Sequence, residues 1–230
     1  MKYALVEGIK KDAEPSLRGV CSYCGSEMIA RCGRHKIWHW AHKSRAECDP
    51  WWESEGEWHR SWKHHFPTDW QEVVHFDEST GEKHIADIKN PHGLVIEFQN
   101  STMTQEERQS REKFYKEMIW VVNGNRGNLT DAYFNMGLSG PIQNDPLAYQ
   151  ISWMGRGKFL ENWGEAEAKV YLDFGKDVVW RLVFYDKKKK IGAVGPLSKT
   201  DFIQYCLTGT KISVSYLPEG SKYGDSHQIE

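Results

Sequence analysis

The sequence predicts an α/β fold, one mixed sheet flanked by helices, with a Cys/His-rich module ahead of it and a β-rich extension behind it. Three observations carry this. Apolar positions switch between helical and alternating periods along the middle of the chain. Four of the five cysteines fall in one short stretch with three histidines. Strand-like segments then dominate the last third.

The chain has 230 residues, enough for one sizeable core with an added module. Hydrophobic residues make up 39% and charged residues 27%, so a packed globular chain is expected and a disordered one is excluded. No apolar run reaches the roughly 20 residues of a membrane span. Met1 to Val6 has too few apolar residues for a signal peptide, which places the expected location in the cytoplasm, with no membrane partner. A net charge of −2 gives no global pull on nucleic acid, so any such contact must come from a local patch.

Along the chain, Met1 to Leu17 reads as a strand and loop, and the metal-rich region runs from Gly19 to about Asp49. A helix is expected over roughly Glu53 to Phe66, then a strand around Glu72 to Phe76. His84 to Lys89, a turn at Asn90 to Gly93, and Leu94 to Gln99 read as a β-hairpin. Thr104 with Glu107 three residues on forms a capping box, predicting a helix to about Ile119. Trp120 to Asn123 follows as a short buried strand.

Gly124 to Gly140 reads as a connection, dense in Asn, Gly and Asp. Strands are expected at Lys169 to Phe174, Val178 to Tyr185 and Lys190 to Val194, and a helix at Ser198 to Leu207. Lys187 to Lys190 would form a solvated hairpin tip, and Cys206 a buried small hydrophobe. The expected domains are therefore 1–50, a metal-binding module; 51–125, the core; and 126–230, an α+β extension that is either continuous with the core or a subdomain.

Cys21-x-x-Cys24 puts two thiolates on one tight turn, the half-site of a zinc knuckle. His39-Trp40-Ala41-His42 can supply the other two ligands if it forms a helical turn, where residues three apart share a face. Cys48 and Cys32 are alternate donors. Four protein ligands would make this Zn²⁺ structural. The competing account is that these side chains simply pack among the tryptophans that crowd Trp38 to Trp70.

Strand parity sets Ile85, Asp87 and Lys89 on one face and Val95, Glu97 and Gln99 on a face of the partner strand. Carboxylates so close together repel unless a cation bridges them, which Mg²⁺ or Mn²⁺ would do. On the preceding helix Glu55, His59 and Lys63 recur every four residues, and Glu55 is the third acid by helical angle. An ordinary salt-bridged surface face is the plainer account of that stripe taken alone. A divalent ion held by these acids would suit phosphodiester hydrolysis.

These residues resemble the competence protein CoiA-like nucleases, a branch of the PD-(D/E)xK superfamily. The likeness runs from Cys21 to about Val122: Cys-x-x-Cys, His-Trp-Ala-His, Trp-Trp-Glu-Ser-Glu-x-Glu-Trp-His-x-x-Trp-Lys, Ile-Ala-Asp-Ile, Val-Ile-Glu-Phe-Gln-Asn-Ser and Arg111-x-x-x-Tyr115. The resemblance implies a restriction-endonuclease-like sheet behind a zinc-ribbon or knuckle-like module. It implies that Asp87, Glu97 and Glu55 bind the catalytic metal, with Gln99 in the place of the superfamily lysine and Lys63 or Lys89 taking over the orientation of water. His59, Arg111 and Tyr115 would line the cleft, Arg111 holding a phosphate oxygen, while Tyr115 serves equally well as packing. The expected activity is a Mg²⁺- or Mn²⁺-dependent deoxyribonuclease acting on DNA in processing, recombination or defence. The alternatives are an inactive zinc-containing DNA-binding protein and an RNA-processing nuclease. A homodimer would suit double-strand cleavage, though nothing in the sequence requires one.

Overall fold

The computed structural model describes residues 1–44, 48–127, 130–144, 146–155 and 158–209. The end of the expected extension, from 210 onward, and parts of the connection after Gly124 lie outside the described residues. The chain divides into two compact units, Met1–Pro91 and His92–Glu230. That boundary falls in the turn at Asn90 to Gly93.

The first unit opens with β1 (Tyr3–Val6), β2 (Ile9–Asp12), β3 (Arg18–Val20), β4 (Glu27–Arg31) and β5 (His39–His42). They form an antiparallel sheet in the order β2-β1-β3-β4-β5. The expected strand-and-loop start and the metal-rich stretch are therefore one sheet. Its core is Met1, Ala4, Ala13, Cys21, Met28 and Trp40. Trp40 can be fully buried because its indole N–H donates to the Lys11 carbonyl, 2.9 Å away.

Helix α1 spans only Glu57–Lys63, shorter than expected. Gly56 is its N-cap in an extended conformation, φ −104° and ψ −176°, so Glu55 precedes the helix. After a 3-10 turn at Thr68–Trp70 come β6 (Gln71–Phe76) and β7 (Lys83–Lys89), an antiparallel pair. In β7 burial alternates as parity requires: His84, Ala86 and Ile88 are buried, while Lys83, Ile85, Asp87 and Lys89 are half-buried.

The second unit contains β8 (Val95–Gln99), α2 (Gln105–Tyr115), β9 (Met118–Asn123), α3 (Thr130–Gly137), β10 (Leu138–Asn144) and β11 (Leu147–Ser152). It continues with α4 (Phe159–Trp163), β12 (Lys169–Asp173), β13 (Val178–Asp186), β14 (Ile191–Ser198) and α5 (Lys199–Thr208). Its strands run in the order β10-β11-β14-β13-β12-β9-β8. β9 is parallel to both β8 and β12, so the strands after residue 126 extend the same sheet. The sheet is mixed, as expected.

Thr104 caps α2, its hydroxyl accepting the Glu107 N–H at 3.1 Å. The helix stops at Tyr115, before the expected Ile119, because Lys116 turns into the left-handed region at φ 60° and β9 begins at Met118. Ser198 likewise caps α5. Lys187 to Lys190 is the turn between β13 and β14, with Asp186 Oδ1 accepting the Lys188 and Lys189 N–H groups. Cys206 is fully buried, and burial alone pushes its thiol up. The expected connection instead holds α3 and the start of β10. Among the described residues, no helix is long and apolar enough to cross a membrane.

Candidate metal centres

The Cys21 to Cys24 turn joins β3 to β4 and is closed by backbone bonds, Cys21 N–H to the Ser26 carbonyl and Gly25 N–H to the Cys21 carbonyl, each 2.9 Å. Gly25 sits at φ 71°, a conformation that glycine adopts without strain. This turn, the end of β5 and the segment after it gather Cys21, Cys24, His42 and Cys48, with ligand atoms within 4.8 Å of one another. Cys21 Sγ and Cys48 Sγ are 3.8 Å apart, and Cys24 Sγ and His42 Nε2 are 3.3 Å apart. Zn–S bonds of about 2.3 Å in a tetrahedron give an S···S edge of roughly 3.8 Å, so the donor set fits a structural metal such as zinc.

The thiols' chemistry agrees with that fit. Burial pushes the Cys48 thiol up to about 12, with the neighbouring sulfurs adding to it. Burial also acts upward on Cys24, but hydrogen bonds from Ser26, Cys21 and His42 prevail and bring it down to about 6. A cation would let all three sulfurs ionise.

His39 is not in this group. β5 is a strand and not a helical turn, so residues three apart point to opposite faces, and His39 Nδ1 lies 2.8 Å from the Ile37 carbonyl. Cys48 occupies the fourth position, and Cys32 stands outside the cluster. His39 instead helps wall a cavity of about 370 Å³ that reaches Glu55 and Arg60, with Lys36 and Trp52 on its sides.

A second group forms around α1 and the β6–β7 pair. Glu55, His59 and Asp87 offer donor atoms within 4.8 Å of one another. His59 Nε2 is 2.9 Å and Lys63 Nζ 3.0 Å from Asp87 Oδ1. Lys63 also donates to Glu55 and, at 3.3 Å, to Glu72 Oε1. Arg60 Nε donates to Glu55 Oε2 at 3.2 Å. Although α1 starts too late to carry Glu55, the extended Gly56 folds that carboxylate back onto the helix.

Glu72 was not singled out by the sequence. It is buried on β6 at φ 47°, a costly conformation for a residue with a side chain, and its carboxylate accepts the backbone N–H groups of Lys2 (2.8 Å) and Tyr3 (3.1 Å). The signal available was its parity within a strand that pairs with the one bearing Asp87.

The charges are set by this packing. Burial opposes the ionised form of Glu55, but Lys63 and His59 overcome it and hold the carboxyl down at about 2. Burial drives Glu72 up, against Lys63 and with the Glu55 charge adding to the rise. Lys63, fully enclosed, is opposed by burial yet held well above its ordinary range by Asp87, Glu72 and Glu55. It therefore stays protonated and cannot serve as a general base. Asp87, with 17% of its side chain exposed, is more open than Glu55 at 5% or Lys63 at 1%.

Asp49, next to Cys48, is also buried and was missed. Its carboxylate accepts the Ile85 N–H at 2.6 Å and lies 2.8 Å from His84 Nδ1, while Trp51 stacks on the His84 ring. Lys89 lies half-buried on β7, on the same face as Asp87.

In the second unit, Glu97 and Gln99 lie on β8, whose five residues are all buried. Arg111, expected to hold a phosphate, is buried with Nη1 on Glu97 Oε2 at 3.2 Å and Nη2 on Glu107 Oε1 at 2.5 Å. Its fork is thus occupied by protein carboxylates. Gln99 Nε2 donates to Ser101 Oγ at 2.8 Å. Tyr115 is buried edge-on against Phe114, a packing position.

Comparison with curated proteins and with solved structures finds no match. Residues 12–50 do match a family model, that of the competence protein CoiA N-terminal domain. They contain β3, β4, β5 and all four clustered zinc-competent residues. Over this stretch, and no further, the chain is similar to the CoiA N-terminal domain.

Proposed function

We propose that this protein is a metal-dependent nuclease that hydrolyses DNA phosphodiester bonds, with Glu55, His59 and Asp87 holding its divalent ion. The observation that supports this is the convergence of two carboxylates and an imidazole within 4.8 Å, beside a cavity that reaches Glu55. The donors fit: two carboxylates suit Mg²⁺ or Mn²⁺, and the imidazole favours Mn²⁺ over the more strictly oxygen-seeking Mg²⁺. When bound, the ion supplies polarisation of a phosphate oxygen and a more acidic water.

The chain's own residues supply positioning. Lys63 fixes the Glu55 and Asp87 carboxylates from behind, and Glu72, anchored on two backbone N–H groups, fixes Lys63. Arg60 restrains the second oxygen of Glu55. The resemblance adds Glu97 as a further acid and Gln99 in the lysine's place. Arg111 then serves to hold Glu97.

The test is incubation with plasmid and linear DNA, and with RNA, in Mg²⁺ or Mn²⁺, beside Asp87→Ala and Glu97→Gln. Loss of a ligating carboxylate should lower the rate by orders of magnitude, because the ion's contribution is worth several kcal/mol. Undiminished cleavage by Asp87→Ala would place the chemistry elsewhere.

A second reading draws on Lys63 and Arg60. They already offset the Glu55 and Asp87 charges without any ion, as in a structural network. On that reading the protein binds DNA through a zinc-stabilised module and does not cut. Metal-independent binding with no cleavage under any divalent ion would favour it.

A further inference from the structure

We infer that the second unit carries a binding pocket for a nucleotide monophosphate, presented on a DNA strand end or free in solution. The choice of nucleotide rests on the nucleic-acid reading above, whereas the preference for phosphate comes from the pocket itself. The pocket lies beyond the carboxyl ends of parallel strands β8 and β9, where Gln99, Val122 and Asn123 reach its wall. Ligands of α/β sheets commonly bind at that edge.

Its volume is about 380 Å³, near the low end of the ~300–1,000 Å³ of small-ligand sites, with room for one nucleotide and not for a duplex. Three cations line it, Arg108, Arg126 and Lys158, and among the described residues no carboxylate does. Arg126 and Lys158 are exposed at the rim, and neither forms an ion pair among the described residues.

Arg108 is the built part of the site. It is 2% exposed, and its Nη1 is fixed by both oxygens of Glu112, at 3.3 and 3.1 Å. Glu112 is shared with the Trp120 indole N–H and the Glu167 backbone N–H, so its charge is spread over three donors. Arg108 Nε has no hydrogen-bond partner among the described residues. Nε is itself enclosed, so an anionic oxygen in the pocket would be held by Arg126 and Lys158 at the rim, with the buried Arg108 charge adding its attraction.

The rest of the lining suits a base. Phe159 and Trp163 are four residues apart on α4, hence on one helix face, and both line the pocket. Stacking on such rings is tolerant of base identity. The loop leaving β9 lines the pocket with Gly124 and Gly127, and the Gly124 N–H is already given to the Asp173 carbonyl at 2.7 Å, so an anion is left to the three cations.

The experiment is calorimetric titration of the full chain carrying Asp87→Asn, so that DNA survives, with short single strands bearing a 5′-phosphate, a 3′-phosphate or neither. Further arms use dAMP, deoxyadenosine and inorganic phosphate. We expect at least one phosphorylated strand or dAMP to bind about tenfold tighter than its unphosphorylated counterpart, and Arg126→Gln with Lys158→Gln to erase most of that difference. Tighter binding of the strand end or of dAMP identifies the source. Equal affinity with and without phosphate, or discrimination unchanged in the double variant, overturns the inference. Binding needs no cleavage, so a wild-type chain that fails to cut DNA would remove the nuclease reading and leave this one standing.

Discussion

Glu72 and Asp87 face each other across the β6–β7 pair. The register that sets Gln71 against Ile88 and Val73 against Ala86 places them opposite, and the Lys63 ammonium joins them at 3.3 and 3.0 Å. Like charges directly opposed in an antiparallel pair are destabilising, so this arrangement depends on the cation between them.

Replacing that cation should therefore be severe. Lys63→Met leaves the carboxylates Glu55, Glu72 and Asp87 around an uncharged side chain, and the expected loss is about 3–5 kcal/mol, the usual cost of breaking a buried ion network. Urea denaturation measures it. A change below about 1 kcal/mol, the range of exposed pairs, would mean that these charges are solvated in solution.

The two candidate metal-ligand sets can be separated by two variants. His39→Ala should retain metal at the wild-type ratio, whereas Cys48→Ser should lose most of it, as judged by elemental analysis of purified protein. The reverse pattern would restore the helical-turn ligand set.

Acid should act through Glu55. Its folded pKa, about 2, lies below the ordinary 4.5, so its contribution is complete above pH 4.5 and is lost as pH falls from 4.5 toward 2. Glu72, raised in the folded state, works in the opposite sense and offsets part of this. Glu55→Gln should flatten the stability curve between pH 4.5 and 2 relative to wild type. Parallel curves for the two proteins would show that Glu55 is not held by Lys63.

Gly124→Ala tests the second unit. A Cβ there would meet the Phe174 ring at 2.3 Å, and overpacking of this kind costs about 1–3 kcal/mol. A melting temperature equal to wild type would mean that the ring yields freely.

What could be read from the sequence was what local chemistry decides. The Thr104 cap, the alternation of β7 and the Lys187 to Lys190 turn each depend on a few adjacent residues, and each is found. Other features depended on distant partners. His39-Trp40-Ala41-His42 carries no period long enough to tell a turn of helix from a strand, and β4 decides it by pairing Ala30 with Trp40. Glu72 reads as one more strand acid, and its role depends on two N–H donors from Lys2 and Tyr3, at the start of β1. In α3 and β10, Asn and Gly obscured elements that packing imposes, with Phe134 buried against Phe174 and Trp180.

Asp49 follows directly on Cys48 and grips the backbone of the strand that carries Asp87. On the nuclease reading proposed above, ions held at a cysteine cluster and an acid cluster tied through one carboxylate would not be thermodynamically independent. Any strengthening of manganese affinity brought about by zinc must be returned, factor for factor, as a strengthening of zinc affinity by manganese. On the nuclease reading, zinc starvation would then dull cleavage before it unfolds the chain.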